Sequence, residues 1–279
     1  MKIDVRHAVD PIRYERMTTD ELRESFLIDN LFVKNEIPLT YSHVDRAVIA
    51  SALPVKETLK LESDKKEFAA EYFCERREVG VINIGRVGSV TVDGTSYNLE
   101  DLDALYIGRV AKEILFQSDD SKKPARYYIV SYPAHTSYPT KLAKFADAQP
   151  LKLGSMEESN KRTIYKYIHP EGIKSCQLVM GFTKLEPGSV WNTMPPHTHI
   201  RRSEVYMYFD IDESDVVFHL MGQPDRLKTI VIRDGQAAIS PVWSIHSGAG
   251  TRAYSFVWAM GGENQAFDDM DFIEIADLK

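Results

Sequence analysis

The chain has 279 residues, 43% of them hydrophobic, enough apolar material for one large core or two smaller ones. Its net charge of -7 is spread along the sequence with no basic run, which argues against nucleic acid or an anionic membrane as partner. The opening residues Met1 to Arg6 carry no apolar leader, and no apolar stretch approaches spanning length, so the expectation is a cytoplasmic protein with no membrane partner. Cys74 and Cys176 are too few for a disulfide framework and read as buried free thiols.

In chain order, residues 1–35 form an N-terminal arm with one helical signal. Thr18-Thr19-Asp20-Glu21 has the spacing of a capping box, and Leu22, Phe26 and Leu27 follow at helical intervals. Residues 36–133 are strand-rich. Val79 to Gly85 is a buried strand run, Gly88 to Gly94 alternates into an Asp-Gly turn, and Ala104 to Gly108 and Glu113 to Phe116 continue the series. Residues 134–160 are less regular and read as a linker. Residues 161–279 hold a second strand series: Thr163 to Ile168, Cys176 to Thr183, Glu204 to Phe209, Val216 to Met221, Thr229 to Arg233 and Tyr254 to Trp258. Short strands at this spacing predict an all-β chain of two jelly-roll halves with short peripheral helices.

The chemistry concentrates in the second half. His197 and His199 are two apart, so on a strand they project to the same side. Glu204 opens the next apolar-aromatic run, and His246 comes from a third segment. Three neutral imidazoles and a carboxylate suit Zn, Fe, Mn or Ni. A bare H-x-H is more often a pair of packed or exposed histidines. The order H-x-H-x4-E followed by Gly235-x5-Pro241-x4-His246 resembles the two-part cupin signature, and in that context a metal site is the better reading. The first half has neither motif and is expected to carry no metal.

The blocks Trp191 to Tyr206, Phe218 to Pro224, Ser240 to Gly248 and Gly262 to Asp271 closely resemble the 4-deoxy-L-threo-5-hexosulose-uronate ketol-isomerases, also called 5-keto-4-deoxyuronate isomerases. Glu75 to Gly85 and Pro133 to Lys141 extend the likeness through the first half. The resemblance implies a bicupin holding one Zn2+ per chain, a homohexamer, and an enzyme of pectin and uronate degradation acting after polysaccharide lyases. Its implied reaction converts 5-dehydro-4-deoxy-D-glucuronate to 3-deoxy-D-glycero-2,5-hexodiulosonate.

That reaction moves a carbonyl between neighbouring carbons of a small sugar acid. It calls for a base, an acid and positive charge near two oxygens, and a Lewis-acid metal supplies the last. Arg162, Lys166, Arg201 and Arg202 are the candidate anchors for the substrate carboxylate. Tyr206 shares strand parity with Glu204 and is expected in the pocket; Tyr208 has the same parity. Glu263, after Gly261-Gly262, is a candidate base, although a turn carboxylate bonded to backbone amides is the plainer reading. The rival functions are another cupin sugar-acid isomerase of the 5-deoxy-glucuronate type, a metal-dependent dioxygenase, and a non-catalytic sugar-binding cupin.

Overall fold

The structure, a computed structural model, describes residues 3–279. Its chain divides into two units that alternate along the sequence. One unit takes residues up to Val5, then 30–148 and 167–178. The other takes 6–29, 149–166 and 179–279.

The first unit is a jelly roll of two antiparallel sheets. Seven strands form the larger, in the order Ile3–Arg6, Leu39–Ser42, Val48–Ala52, Tyr127–Pro133, Arg77–Asn83, Ala104–Ile107 and Lys141–Ala143. Four form the smaller: Leu59–Lys60, Ile114–Ser118, Gly88–Val92 and Thr95–Leu99. The Asp93-Gly94 pair turns the hairpin with φ of 47° and 81°, the left-handed backbone that a two-residue hairpin turn requires. Val90 and Val92 of the small sheet meet Val81 and Ile129 of the large one in a single core. The Arg77–Asn83 strand is buried along its whole length, which accounts for its unbroken apolar run.

Glu78 on that strand is fully buried. Its carboxylate accepts hydrogen bonds from the Tyr106 hydroxyl at 2.8 Å and from the backbone N–H groups of Cys176, Gln177 and Leu178 at 2.7 to 2.9 Å. Four donors compensate the buried charge and pin the 176–178 segment to this unit. Cys176 is therefore an anchor point rather than part of a strand. It is only partly buried, unlike Cys74, and its thiol donates to the Thr136 carbonyl at 3.3 Å; both cysteines are free.

The second unit repeats the plan. Its larger sheet runs Pro150–Leu153, Arg162–Ile168, Val179–Leu185, Ser255–Gly262, Arg202–Phe209, Ala237–Ser240 and Leu27–Ile28. The smaller runs Trp191–Asn192, Ile245–Gly250, Val217–Gly222 and Lys228–Ile232. A separate pair joins His197–Thr198 to Asp271–Phe272. Residues 134–160 are not a free linker: they supply an edge strand to the larger sheet of each unit, Lys141–Ala143 and Pro150–Leu153.

The N-terminal segment belongs to this second unit. Helix α1 covers Pro11–Arg16 and α2 covers Thr19–Phe26, and the capping box at Thr18 and Glu21 is formed. Leu22 and Phe26 are buried, and the chain continues into Leu27–Ile28, which pairs with Ala237 and Ala238. The buried Tyr14 hydroxyl donates to the Met221 carbonyl at 2.7 Å. Lys228 caps α1 by donating to the carbonyls of Tyr14, Glu15 and Met17. Trp243 packs on Tyr14 and Phe26 and donates its indole N–H to the Val9 carbonyl at 3.1 Å. Its role is thus to dock the N-terminal segment.

Candidate metal centre and cavity

Three elements of the second unit converge on one point. Glu204 comes from the larger sheet, His246 from the smaller, and His197 from the short strand clamped by Asp271–Phe272, with His199 directly after it. The three imidazole centroids form a nearly equilateral triangle with sides of 4.7, 4.7 and 4.8 Å. His246 Nε2 lies 3.0 Å from His197 Nε2 and 2.8 Å from Glu204 Oε2, and His199 Nδ1 is 3.7 Å from the same oxygen. One donor atom from each of the four residues falls within 4.8 Å of the others. All four side chains are buried.

The electrostatics favour ligation. Burial, followed by the neighbouring His246 and Arg202, lowers His197 to about 2, and burial with the same neighbours lowers His199 further. Both rings are neutral at pH 7, the form a metal binds. His199 Nε2 is buried with no hydrogen-bond partner, an orphaned polar atom of the kind a ligand normally satisfies. Three imidazoles and a carboxylate crowded within reach of one point, with His199 Nε2 unpartnered, fit a divalent cation. These residues could hold one.

The cluster opens into a cavity of about 230 Å³. Ile164, Phe256, Trp258, Met260 and Phe267 give it an apolar wall, and Arg162, Thr193 and Tyr206 add polar groups. Glu204 is the one carboxylate among the described residues that line it. Tyr206 faces the cavity as its parity with Glu204 requires, and its hydroxyl is 3.1 Å from Thr193 Oγ1. Burial first, then the Glu204 charge, pushes its phenol well above the usual range, so it is a neutral hydrogen-bonding group. Tyr208, with the same parity, lies deeper and bonds His219 Nδ1 at 2.8 Å.

The four cations that sequence alone left equivalent are separated by the structure. Arg162 lines the cavity and spends one nitrogen on the Asn160 carbonyl at 2.9 Å. Arg201 is committed to Asp269 and Asp271, with its Nε 2.8 Å from both Asp269 carboxylate oxygens. That pair holds Asp269 down to about 2. Arg202 is buried and donates to the carbonyls of Ala266, Phe267 and Asp269, fixing the loop that brings Phe267 to the wall. Lys166 sits over the Phe267 ring at 4.9 Å and does not line the cavity. Glu263 is exposed, lies outside the cavity, and has its backbone N–H bonded to the Arg201 carbonyl at 2.8 Å.

Sequence reasoning missed the loop 266–272 as part of the site. Its signal was the acid run Asp268, Asp269 and Asp271, of which Asp269 and Asp271 pair with Arg201. No helix among the described residues is long and apolar enough to cross a membrane.

The site sits in a fold shared with known proteins. The structure is similar to an IolB-like protein from Salmonella typhimurium, with a TM-score of 0.66 at 12% identity, covering 81% of this chain and 87% of that one. It also resembles Bacillus subtilis oxalate decarboxylase, with a TM-score of 0.57 at 10% identity over 79% of this chain and 70% of the other. At these identities the likeness speaks for the bicupin fold alone. Sequence similarity is much closer. A 4-deoxy-L-threo-5-hexosulose-uronate ketol-isomerase of Lachnoclostridium phytofermentans is 57% identical over 99% of this chain and 100% of its own length. The protein of the same name in Halalkalibacterium halodurans is 54% identical over 98% and 99%. The model of the KduI/IolB family matches residues 29–275. With nearly the whole length matched, and relatives named as ketol-isomerases, the chain belongs to the KduI/IolB family of enzymes.

Proposed function

We propose that the chain is a metal-dependent ketol-isomerase acting on 4-deoxy-L-threo-5-hexosulose-uronate and forming 3-deoxy-D-glycero-2,5-hexodiulosonate. The observation that carries this reading is the buried cluster of His197, His199, Glu204 and His246, the first three of which line one cavity with Arg162. The full-length relatives bearing that name supply the substrate. Zinc is the proposed metal, one per chain, because the donor set is nitrogen-rich and redox chemistry is not required. When bound, it supplies a Lewis acid that polarises the substrate's carbonyl and neighbouring hydroxyl.

The protein's own groups do the rest. Arg162 presents a largely free guanidinium to the substrate carboxylate, which suits bidentate pairing. The neutral Tyr206 hydroxyl, backed by Thr193, donates to a substrate oxygen. The apolar wall of Phe256, Trp258 and Phe267 excludes water from the bound substrate. Arg201 and Arg202 act behind the site by holding the 266–272 loop against His197. The active assembly is a homohexamer, as the resemblance implies, and a monomeric mass by light scattering at micromolar concentration would reject it.

The test is direct. Protein with measured metal content is incubated with the unsaturated-uronate product of a polysaccharide lyase in air-equilibrated buffer, ketose formation is followed by NMR, and dissolved oxygen is followed by an electrode. Isomerisation without oxygen uptake supports the proposal. Turnover of 5-deoxy-glucuronate but not of this substrate would assign the other isomerase activity instead, and oxygen consumption would assign a dioxygenase.

A further inference from the structure

The first unit has a cavity of its own, about 260 Å³. Tyr41, Phe68 and Phe73 form an aromatic wall, with Tyr41 and Phe68 edge-on at 5.5 Å. Arg46, Arg76, Arg77 and Glu67 supply the charge. Arg77 is the unusual member, because its side chain is only 7% exposed. Its Nε donates to Ser131 Oγ at 3.1 Å, and its Nη2 donates to the carbonyls of Ser131 and Arg46. The guanidinium lies 5.9 Å from the Tyr41 ring centre and 5.7 Å from that of Phe68. No carboxylate pairs with it among the described residues, and its Nη1 has no acceptor there. Burial pulls it down to about 10, the mark of a cation without a counter-charge.

A buried charge without an opposite partner is costly, and proteins seldom retain one without a use. The neighbouring charges leave the cavity positive. Arg76 is paired with Glu75 at 2.9 Å, and Glu67 is engaged by Lys66 at 3.3 Å. Arg46 at the rim is exposed and has no carboxylate partner among the described residues. The Nη1 of Arg77 and the guanidinium of Arg46 are thus left to meet an anion, beside ring faces that suit the C–H face of a small carbon skeleton.

We propose that this cavity is a second small-molecule site, in which Arg77 and Arg46 hold the carboxylate of a small organic acid of hexuronate size against Tyr41 and Phe68. The volume suits a six-carbon acid and is below that of most drug-sized pockets. The site is separate from the metal cluster and does not depend on the isomerase reading.

Equilibrium dialysis of the metal-loaded full-length protein with radiolabelled D-glucuronate tests it. Wild type should bind the acid with millimolar or tighter affinity. Arg46→Ala, which removes an exposed side chain and keeps the backbone carbonyl, should weaken binding at this site about tenfold, with isomerase kcat unchanged. Arg77→Gln should abolish it, checked for folding by its thermal transition. The methyl ester of glucuronate should not bind. Unchanged glucuronate binding in Arg46→Ala would overturn the proposal even where Arg77→Gln fails to fold. Competition by inorganic phosphate as strong as by glucuronate itself would overturn the assignment to organic acids.

Discussion

Replacing Arg162 with glutamine keeps a polar side chain of similar reach but removes the charge and the forked donor. Arg162 uses one nitrogen on the Asn160 carbonyl and leaves the others facing the cavity. A hydrogen bond to a charged group is worth about 1.5–3 kcal/mol, and a bidentate pair in this partly screened position about 2–4 kcal/mol. That corresponds to roughly a 30- to 900-fold loss in kcat/KM. The substrate carboxylate lies at the far end of a six-carbon chain from the reacting carbonyl. Its charge is the same in ground and transition states, so the loss should fall on KM, with kcat changing less. Steady-state kinetics on the uronate and on its neutral methyl ester measure both terms. The ester should lose under threefold, because no charge is left without a partner. A loss below about threefold on the uronate itself, worth only ~0.6 kcal/mol, or a loss confined to kcat, would refute the anchor.

Other consequences are open to measurement. His197→Ala should leave the strand ladders and the far-ultraviolet spectrum intact while bound metal, read by elemental analysis after dialysis, falls from one equivalent toward none. Chelation of the wild type should abolish activity, and added zinc should restore it. His219 is buried and its folded pKa is lowered to about 3, chiefly by burial. Its contribution is therefore complete above the unfolded pKa near 6.5 and is lost as pH falls from there toward 3, about 2 kcal/mol by pH 5. Urea titrations at pH 7 and pH 5 should show this loss in wild type and a smaller one in His219→Gln; equal losses would refute it. Tyr14→Phe should cost about 1–2 kcal/mol by leaving the Met221 carbonyl unsatisfied, seen as a lower thermal midpoint with unchanged activity.

The parts of this molecule legible in sequence were those carried by local period and local turn chemistry. The Asp93-Gly94 hairpin, the Thr18 capping box and the alternation that turns Glu204 and Tyr206 inward all depend on neighbours within a few residues. The histidine pair was legible for the same reason. The sorting of the cations was not. Arg201 and Arg202 stand next to the ligands in sequence, yet their partners are 64 to 70 residues away in a loop without periodic pattern. The role of Glu78 was not legible in sequence, because three of its four donors are backbone amides about 100 residues on. The packing of Trp243 was not legible either, because its partners Tyr14 and Val9 lie more than 220 residues upstream.

The docking of the N-terminal segment also has a consequence for how the chain is made. Tyr14 and its partner Met221 are 207 residues apart. At about 5–20 residues per second, the ribosome needs roughly 10 to 40 s to make the second after the first. Through most of that interval the partners of Leu22, Phe26 and Tyr14 in the second unit are not yet made, while the residues of the first unit are. The nascent chain therefore carries an exposed adhesive segment for most of its synthesis. The acidic residues Asp20, Glu21 and Glu24, on the otherwise open side of α2, are placed to keep that segment soluble until Ala237 and Ala238 emerge.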